Sequence, residues 1–242
     1  MINYEQIFLV SLNIVLLGLI ACRPFYKSWK LYLKSSLFIK ILMWLPILGT
    51  FVLFMNTVEL VRALILSFIL LYSMFEILRG RSGFIRYRIF LLFHLSVGAL
   101  ALFVLSLPSN NQQELVLFTV YASVISDVAA FFLGNYAGKH KLPKIINNRK
   151  SWEGVIGQII GAFMGGVLVN AYFIEVSKIS LFVAVIVGLG TAYGDLLNSY
   201  VKRRLKIKDW GQSIPGHGGY SDRFSSMFGA VIFVYFWYFL NL

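Results

Sequence analysis

The sequence has one cysteine, Cys22, three histidines and five prolines in 242 residues. A lone thiol excludes a disulfide framework and any cysteine-based metal cluster. His94, His140 and His217 lie far apart and lack zinc-ligand spacing, so His94 and His140 read as structural or polar groups, with His217 the exception because of the turn it stands in. Charge is also scarce: Asp, Glu, Lys and Arg make up 13% of the chain, and only ten of these residues are acids. No linker, low-complexity tract or convincing repeat interrupts the chain, whose longest polar stretch is about 202–223. Against these shortages, 59% of residues are hydrophobic and the mean hydropathy is +0.77. A soluble domain is about half apolar and a quarter charged, so the apolar excess here belongs in lipid. A soluble enzyme, a disordered chain and a secreted disulfide scaffold are therefore excluded. Transporter, channel and lipid enzyme remain open on composition.

The fold expected is all-α: a polytopic integral membrane protein with about eight transmembrane helices. A crossing needs about 20 apolar residues. Windows of that length fall near 3–22, 37–55, 58–78, 89–107, 115–137, 154–174, 179–199 and 224–241. The net charge of +12 would suggest nucleic acid in a soluble protein, but here it sorts by position. Of 22 Lys and Arg residues, 19 fall in alternate connections, around 23–34, 79–88, 139–150 and 202–223. Lys40, Arg62 and Lys178 are the exceptions. Cytoplasmic loops collect cations, which places these four connections inside and both termini outside. No nucleic-acid partner is expected. Leu19–Cys22 has the look of a lipoprotein cleavage box, yet the first charge is Glu5 and the cations follow the span. A thiol at a helix end is the preferred reading.

The four aspartates, Asp127, Asp195, Asp209 and Asp222, all lie in the second half, in or beside a basic connection. Asp127 and Asp195 fall inside predicted spans, where an ionisable side chain is a functional candidate by default. Glu5, Glu59, Glu114 and Glu175 read instead as solvated span ends. After the cations of 202–208, Pro215–Gly219 breaks any helix and leaves backbone amides able to cradle phosphate oxygens. Asp222 and Arg223 follow, a carboxylate beside a fork-shaped phosphate binder. Carboxylates, cations and a glycine-rich turn on one side of a membrane suit a metal–polyphosphate complex, since Mg²⁺ is usually held by one or two carboxylates plus substrate phosphates. Upstream, Ser151 and Glu153 suit a helix cap, while Arg149 and Lys150 before a helix N-terminus suit phosphate. Gly157, Gly161 and Gly165 recur every four residues and read as a helix-packing face.

With these residues in place, the chain resembles the phosphatidate cytidylyltransferase family. The family's C-terminal signature is matched by Ser199, Lys202, Arg203, Lys208, Asp209, Gly211, Ile214, Pro215, His217, Gly218, Gly219, Asp222 and Arg223. Ser126-Asp127, Gly138–Leu142, Lys150–Gly154 and Gly194–Leu196 resemble further family elements, so the likeness covers about 120–230. Ser225 stands where the signature ends on an acid, Tyr220 where an aliphatic is usual, and Asn147-Asn148 where Ser-Pro is common.

The resemblance implies transfer of a cytidylyl group from CTP to phosphatidate, giving CDP-diacylglycerol and pyrophosphate. It implies N-terminal transmembrane helices over 1–112 and a C-terminal transmembrane catalytic region over 113–242. Asp195, Asp222, Lys202 and Arg223 are the catalytic candidates it implies. Asp195, Asp222 and Asp127 would hold Mg²⁺, with a second metal ion allowed. Lys150, Ser151, Arg203, Lys208, Asp209, His217, Gly218 and Gly219 would bind substrate. Its partners would be CTP, phosphatidate and the bilayer, with a homodimer allowed. The active site would face the cytoplasm of a cell membrane, with a bacterial inner membrane expected, and a groove between helices would admit acyl chains. Two alternatives stay open: the same transfer onto another lipid phosphate, such as an isoprenoid-glycerol phosphate, and a degenerate non-catalytic paralogue.

Overall fold

A computed structural model describes residues 4–79, 85–108, 112–172, 181–214 and 218–241. The described residues form helices α1 (Tyr4–Cys22), α2 (Trp29–Leu33), α3 (Ser36–Leu42), α4 (Trp44–Asn56), α5 (Glu59–Arg79), α6 (Ile85–Ser106), α7 (Gln113–Tyr136), α8 (Trp152–Tyr172), α9 (Leu181–Arg204) and α10 (Tyr220–Leu240). Seven stretches are long and apolar enough to cross a membrane, with α3 and α4 together forming one of them, Leu37–Asn56. The protein is thus an all-α, multi-pass membrane protein. The expected first span corresponds to α1, whose apolar stretch Ile7–Ile20 is shorter than the other seven.

Three departures from the expected spans have simple causes. The second span breaks at Met43 because Pro46, in the first turn of α4, has no N–H for the carbonyl four residues back. Helix α6 begins at Ile85 rather than near 89 because Arg86 and Arg88 are helical despite their charge; the Arg88 guanidinium donates to the Leu78 carbonyl at the end of α5, 3.1 Å away. Helix α9 runs on to Arg204, and its three closing cations suit the negative end of a helix dipole. It ends with Lys206 in the left-handed region (φ 57°), while the amides of Lys206 and Ile207 return to the carbonyls of Arg203 and Lys202.

Helices α7 to α10 pack side by side in chain order, and α5 and α6 lean on α10. One buried apolar cluster reaches from Ile7 to Val234. Small residues set the close crossings, as expected within a membrane where packing rather than water exclusion drives association. A Cβ on Gly161 would come within 2.5 Å of Ala129, and one on Gly165 within 2.8 Å of Ala122, so the every-fourth glycine face is the α7–α8 contact. Gly190 meets the backbone of α10, since a Cβ there would lie 2.6 Å from the Gly229 carbonyl oxygen and 2.7 Å from the Ala230 Cα. Backbone cannot yield as a side chain can. Gly190→Ala should therefore destabilise the fold by about 1–3 kcal/mol, the usual range for overpacking. A thermal unfolding midpoint of the purified variant equal to the parent's would refute the crossing.

At the end of the bundle away from the four basic connections, Arg62 is buried and donates to the carbonyls of Met55, Thr57 and Ser106. It closes the C-terminal ends of α4 and α6, which explains a cation outside the basic connections.

Candidate active site

At the basic end of the bundle, α7, α8, α9 and α10 surround a chamber of about 270 Å³. Helix α7 contributes Asp127, α9 contributes Asp195, and the first turns of α10 contribute Asp222, Arg223 and Ser226. Arg149, Lys150 and Ser151 close the chamber from the connection before α8. That connection is held by an antiparallel bridge between Lys141 and Ser151, in which the Leu142 and Trp152 amides donate to the Lys150 and His140 carbonyls at 2.9 Å each. Ser151 is buried, and its Oγ accepts the Gly154 N–H at 3.2 Å, the helix-capping role its sequence context suggested. The His140 ring and amide both bond Glu153, fixing the other side of the turn.

The bridge delivers Lys150 to Asp195, whose carboxylate it pairs with; the ammonium also donates to the Asp195 carbonyl at 3.3 Å. Asp127 faces Asp195 across the chamber. The buried Gln158 amide reaches both, 3.4 Å from Asp127 Oδ1 and 3.5 Å from Asp195 Oδ2. Ser226 Oγ donates to Asp127 Oδ2 at 2.8 Å. Two carboxylates on facing helices thus converge on one point. Arg223 borders the same chamber, and its buried Nε–H has no hydrogen-bond partner. Burying such a donor unpaired is costly.

Asp222 is placed differently. Its Oδ1 takes the Lys202 ammonium at 2.5 Å, and its Oδ2 takes the Trp210 and Gly219 amides at 2.9 and 3.0 Å. With both oxygens engaged, it ties the loop after α9 to the start of α10. Trp210 continues the tie through its indole N–H, 2.7 Å from Asn198 Oδ1. Among the described residues no three His, Cys, Asp or Glu side chains gather into a metal-holding group.

The other sequence candidates are spread around this centre. Lys202 lies beneath it, paired to Asp222. Arg203 donates to the Ile207 carbonyl at 3.1 Å, and Lys208 and Asp209 are exposed on the loop outside the chamber. Gly218 has φ +84°, a conformation that favours glycine, and with Gly219 it packs against Asp222. His217 lies outside the described residues. Within the turn expected to offer its amides to phosphate, the Gly219 N–H is taken by Asp222, and the Tyr220 and Ser221 amides that follow are engaged by Glu76. Ser225 does not border the chamber. Its Oγ donates to the Gly194 carbonyl at 2.9 Å, and its own carbonyl meets the His94 ring at 3.0 Å, so position 225 is part of the α9–α10 contact. Sequence reasoning missed Gln158, Ser226 and Glu76. Gln158 and Glu76 carried a usable signal, each being a strongly polar residue within an apolar span.

The chamber adjoins a second cavity. Asp127, Phe131 and Arg223 also border an apolar groove of about 360 Å³ between α1, α3 and α7, lined by Ile14, Gly18, Ile41 and Val128 among others. Polar, charged space thus lies beside space suited to hydrocarbon, with these three residues as the shared wall.

A profile described as the cytidylyltransferase family matches residues 5–241. The chain belongs to the cytidylyltransferase family. Relatives similar to it include a phosphatidate cytidylyltransferase of Helicobacter pylori (strain ATCC 700392 / 26695), 37% identical over 134 residues, covering 52% of this chain and 48% of that protein. One from Rickettsia bellii is 36% identical over 137 residues (53% and 58%), and one from Mycobacterium bovis is 33% identical over 124 residues (51% and 40%). The chain spans between 40% and 58% of these curated relatives.

Proposed function

We propose that this cytidylyltransferase-family chain transfers the cytidylyl group of CTP to phosphatidate, giving CDP-diacylglycerol and pyrophosphate. The observation that carries this reading is the junction at Asp127, Phe131 and Arg223, where a chamber with carboxylates and cations meets an apolar groove. A lipid phosphate needs both environments within one molecule's reach. The basic connections around the chamber favour the cytoplasmic side of a cell membrane, where CTP is found, and a bacterial inner membrane suits relatives from bacteria.

In the proposed reaction an oxygen of the lipid phosphate attacks the α-phosphorus of CTP. A new P–O bond forms, the α–β anhydride bond breaks, and pyrophosphate leaves with the electron pair. Two anions must approach, so the protein's task is positioning and charge neutralisation rather than covalent chemistry. Arg223, at the mouth of the groove with an unpaired donor, would hold the lipid phosphate. Lys150 and Arg149 would meet the nucleotide phosphates, and Lys202 would act through Asp222 by fixing the loop. Gln158 and Ser226 would keep the two carboxylates in register. The donor set fits Mg²⁺: Asp127 and Asp195 are hard oxygen ligands that converge, and water and substrate phosphates ordinarily complete such an ion's shell. When bound, the ion would neutralise phosphate oxygens in the transition state.

The groove gives a prediction separable from the chemistry. Val128→Trp would fill it, so KM for phosphatidate should rise several-fold while KM for CTP stays at the parental value. Equal changes in both constants would remove the groove from lipid binding. The activity itself is tested by incubating membranes with labelled CTP and a panel of lipid phosphates. Phosphatidate should be labelled preferentially. Preferential labelling of an isoprenoid-glycerol phosphate would move the substrate, and CTP binding without any labelled lipid would support a non-catalytic role.

A further inference from the structure

Glu76 sits near the C-terminal end of α5, far in sequence from the chamber residues, and is only 6% exposed. A buried carboxylate is costly unless its oxygens are hydrogen-bonded. Here they are. Glu76 accepts from Ser213 Oγ at 2.7 Å, from the Tyr220 and Ser221 amides at 3.1 Å each, and from Ser221 Oγ at 3.3 Å. Its counter-charge is the N-terminal end of α10, whose first amides have no partner within the helix and carry the positive end of its dipole.

The loop is shaped to admit this side chain. A Cβ on Gly219 would lie 2.5 Å from Glu76 Oε2, and one on Gly211 would lie 2.8 Å from Oε1. Two glycines therefore flank the carboxylate, and a side chain at either would displace it. Helix N-termini are usually capped by a Ser, Thr, Asp or Asn on the same chain segment. Gly219 has no side chain for that task, so a residue from another helix performs it. Asp222 and Arg223 follow within the same first turn. Where α10 begins decides whether Asp222 reaches Lys202 and whether Arg223 points into the chamber.

The geometry points to Glu76 as a positioning residue that sets the seat of Asp222 and the aim of Arg223 through the first turn of α10. The inference rests on the proposed cytidylyl transfer. It assigns to the N-terminal helices a direct hold on the reacting end of the C-terminal ones. Glu76 lines neither the chamber nor the apolar groove, so its effect should pass entirely through the residues it places.

The test is a double-mutant cycle on purified protein, with turnover and thermal unfolding measured together. Glu76→Gln keeps the side chain's length but turns one acceptor oxygen into a donor facing amides. Because small misplacements at a reacting centre are costly, kcat should fall by about 10-fold or more. KM for CTP should change less than about 2-fold, as should the effect of Glu76→Gln when added to Arg223→Lys, since coupled residues are non-additive. Ser213→Ala, on the exposed loop, removes a single donor to Glu76 and serves if Glu76→Gln does not fold. It should lower kcat about 3-fold with the same non-additivity. Parental turnover in the variants that fold, or full multiplication with Arg223→Lys, overturns the inference while leaving the proposed reaction intact. A parent that forms no CDP-lipid overturns both.

Discussion

Asp195→Asn should reduce CDP-diacylglycerol formation by about 10²- to 10³-fold, the range seen when one preorganised electrostatic contact to a transition state is removed. Asparagine keeps the shape of the side chain but loses the charge that pairs with Lys150 and, on the proposed reading, with a metal ion. The fold should survive. Lys150 retains its bond to the Asp195 carbonyl, and the two side chains are 27% and 34% exposed, so the pair is partly screened by solvent. Half-maximal activity should also require more Mg²⁺, which a purely structural defect would not produce. Turnover near that of the parent would remove Asp195 from the reaction.

The second large effect is expected at Arg223. Arg223→Ala deletes the guanidinium at the junction of chamber and groove, and kcat/KM for the lipid should fall by about 10²-fold or more. Arg223→Lys restores the charge but not the planar fork, so it should recover only part of the loss. The discriminating measurement is the ratio of the two variants, at constant ionic strength. Full recovery by lysine would mean that a point charge suffices and that the unpaired Nε–H has no specific role.

Much of this arrangement is legible in the amino-acid sequence, and the reasons are physical. Runs of about 20 apolar residues leave few alternatives to helices, so the membrane segments stand out. Their ends do not, because hydropathy stops at the first charge while the hydrogen-bond ladder continues. Helices α6 and α9 both carry arginines that a hydropathy window assigns to loops. The break at Met43 was visible only as Pro46, one residue within an otherwise unbroken apolar run.

The site was legible to a similar depth. Asp127, Lys150, Ser151, Asp195 and Arg223 come together as the motifs suggested. Residue type alone could not separate the two kinds of carboxylate. Asp195 and Asp127 face open space, whereas Asp222 is spent on holding the loop. The same limit applies to Gly218 and Gly219, whose turn surrounds the protein's own carboxylates. Position 225 shows how a departure in a motif can be harmless to the chamber, because that side chain points into the α9–α10 contact. Glu76 and Gln158 belong to no local pattern, and only the packing of α5 on α10 and of α8 between α7 and α9 brings them to the site.

The most direct test of the central claim follows the phosphorus atoms. Purified protein is supplied with phosphatidate, Mg²⁺ and CTP labelled either at the α- or at the γ-phosphate. The account predicts that α-label enters a lipid with the properties of CDP-diacylglycerol, while γ-label appears in an equal amount of pyrophosphate. Label that stays in CTP, or α-label released as free CMP with no lipid product, would contradict it.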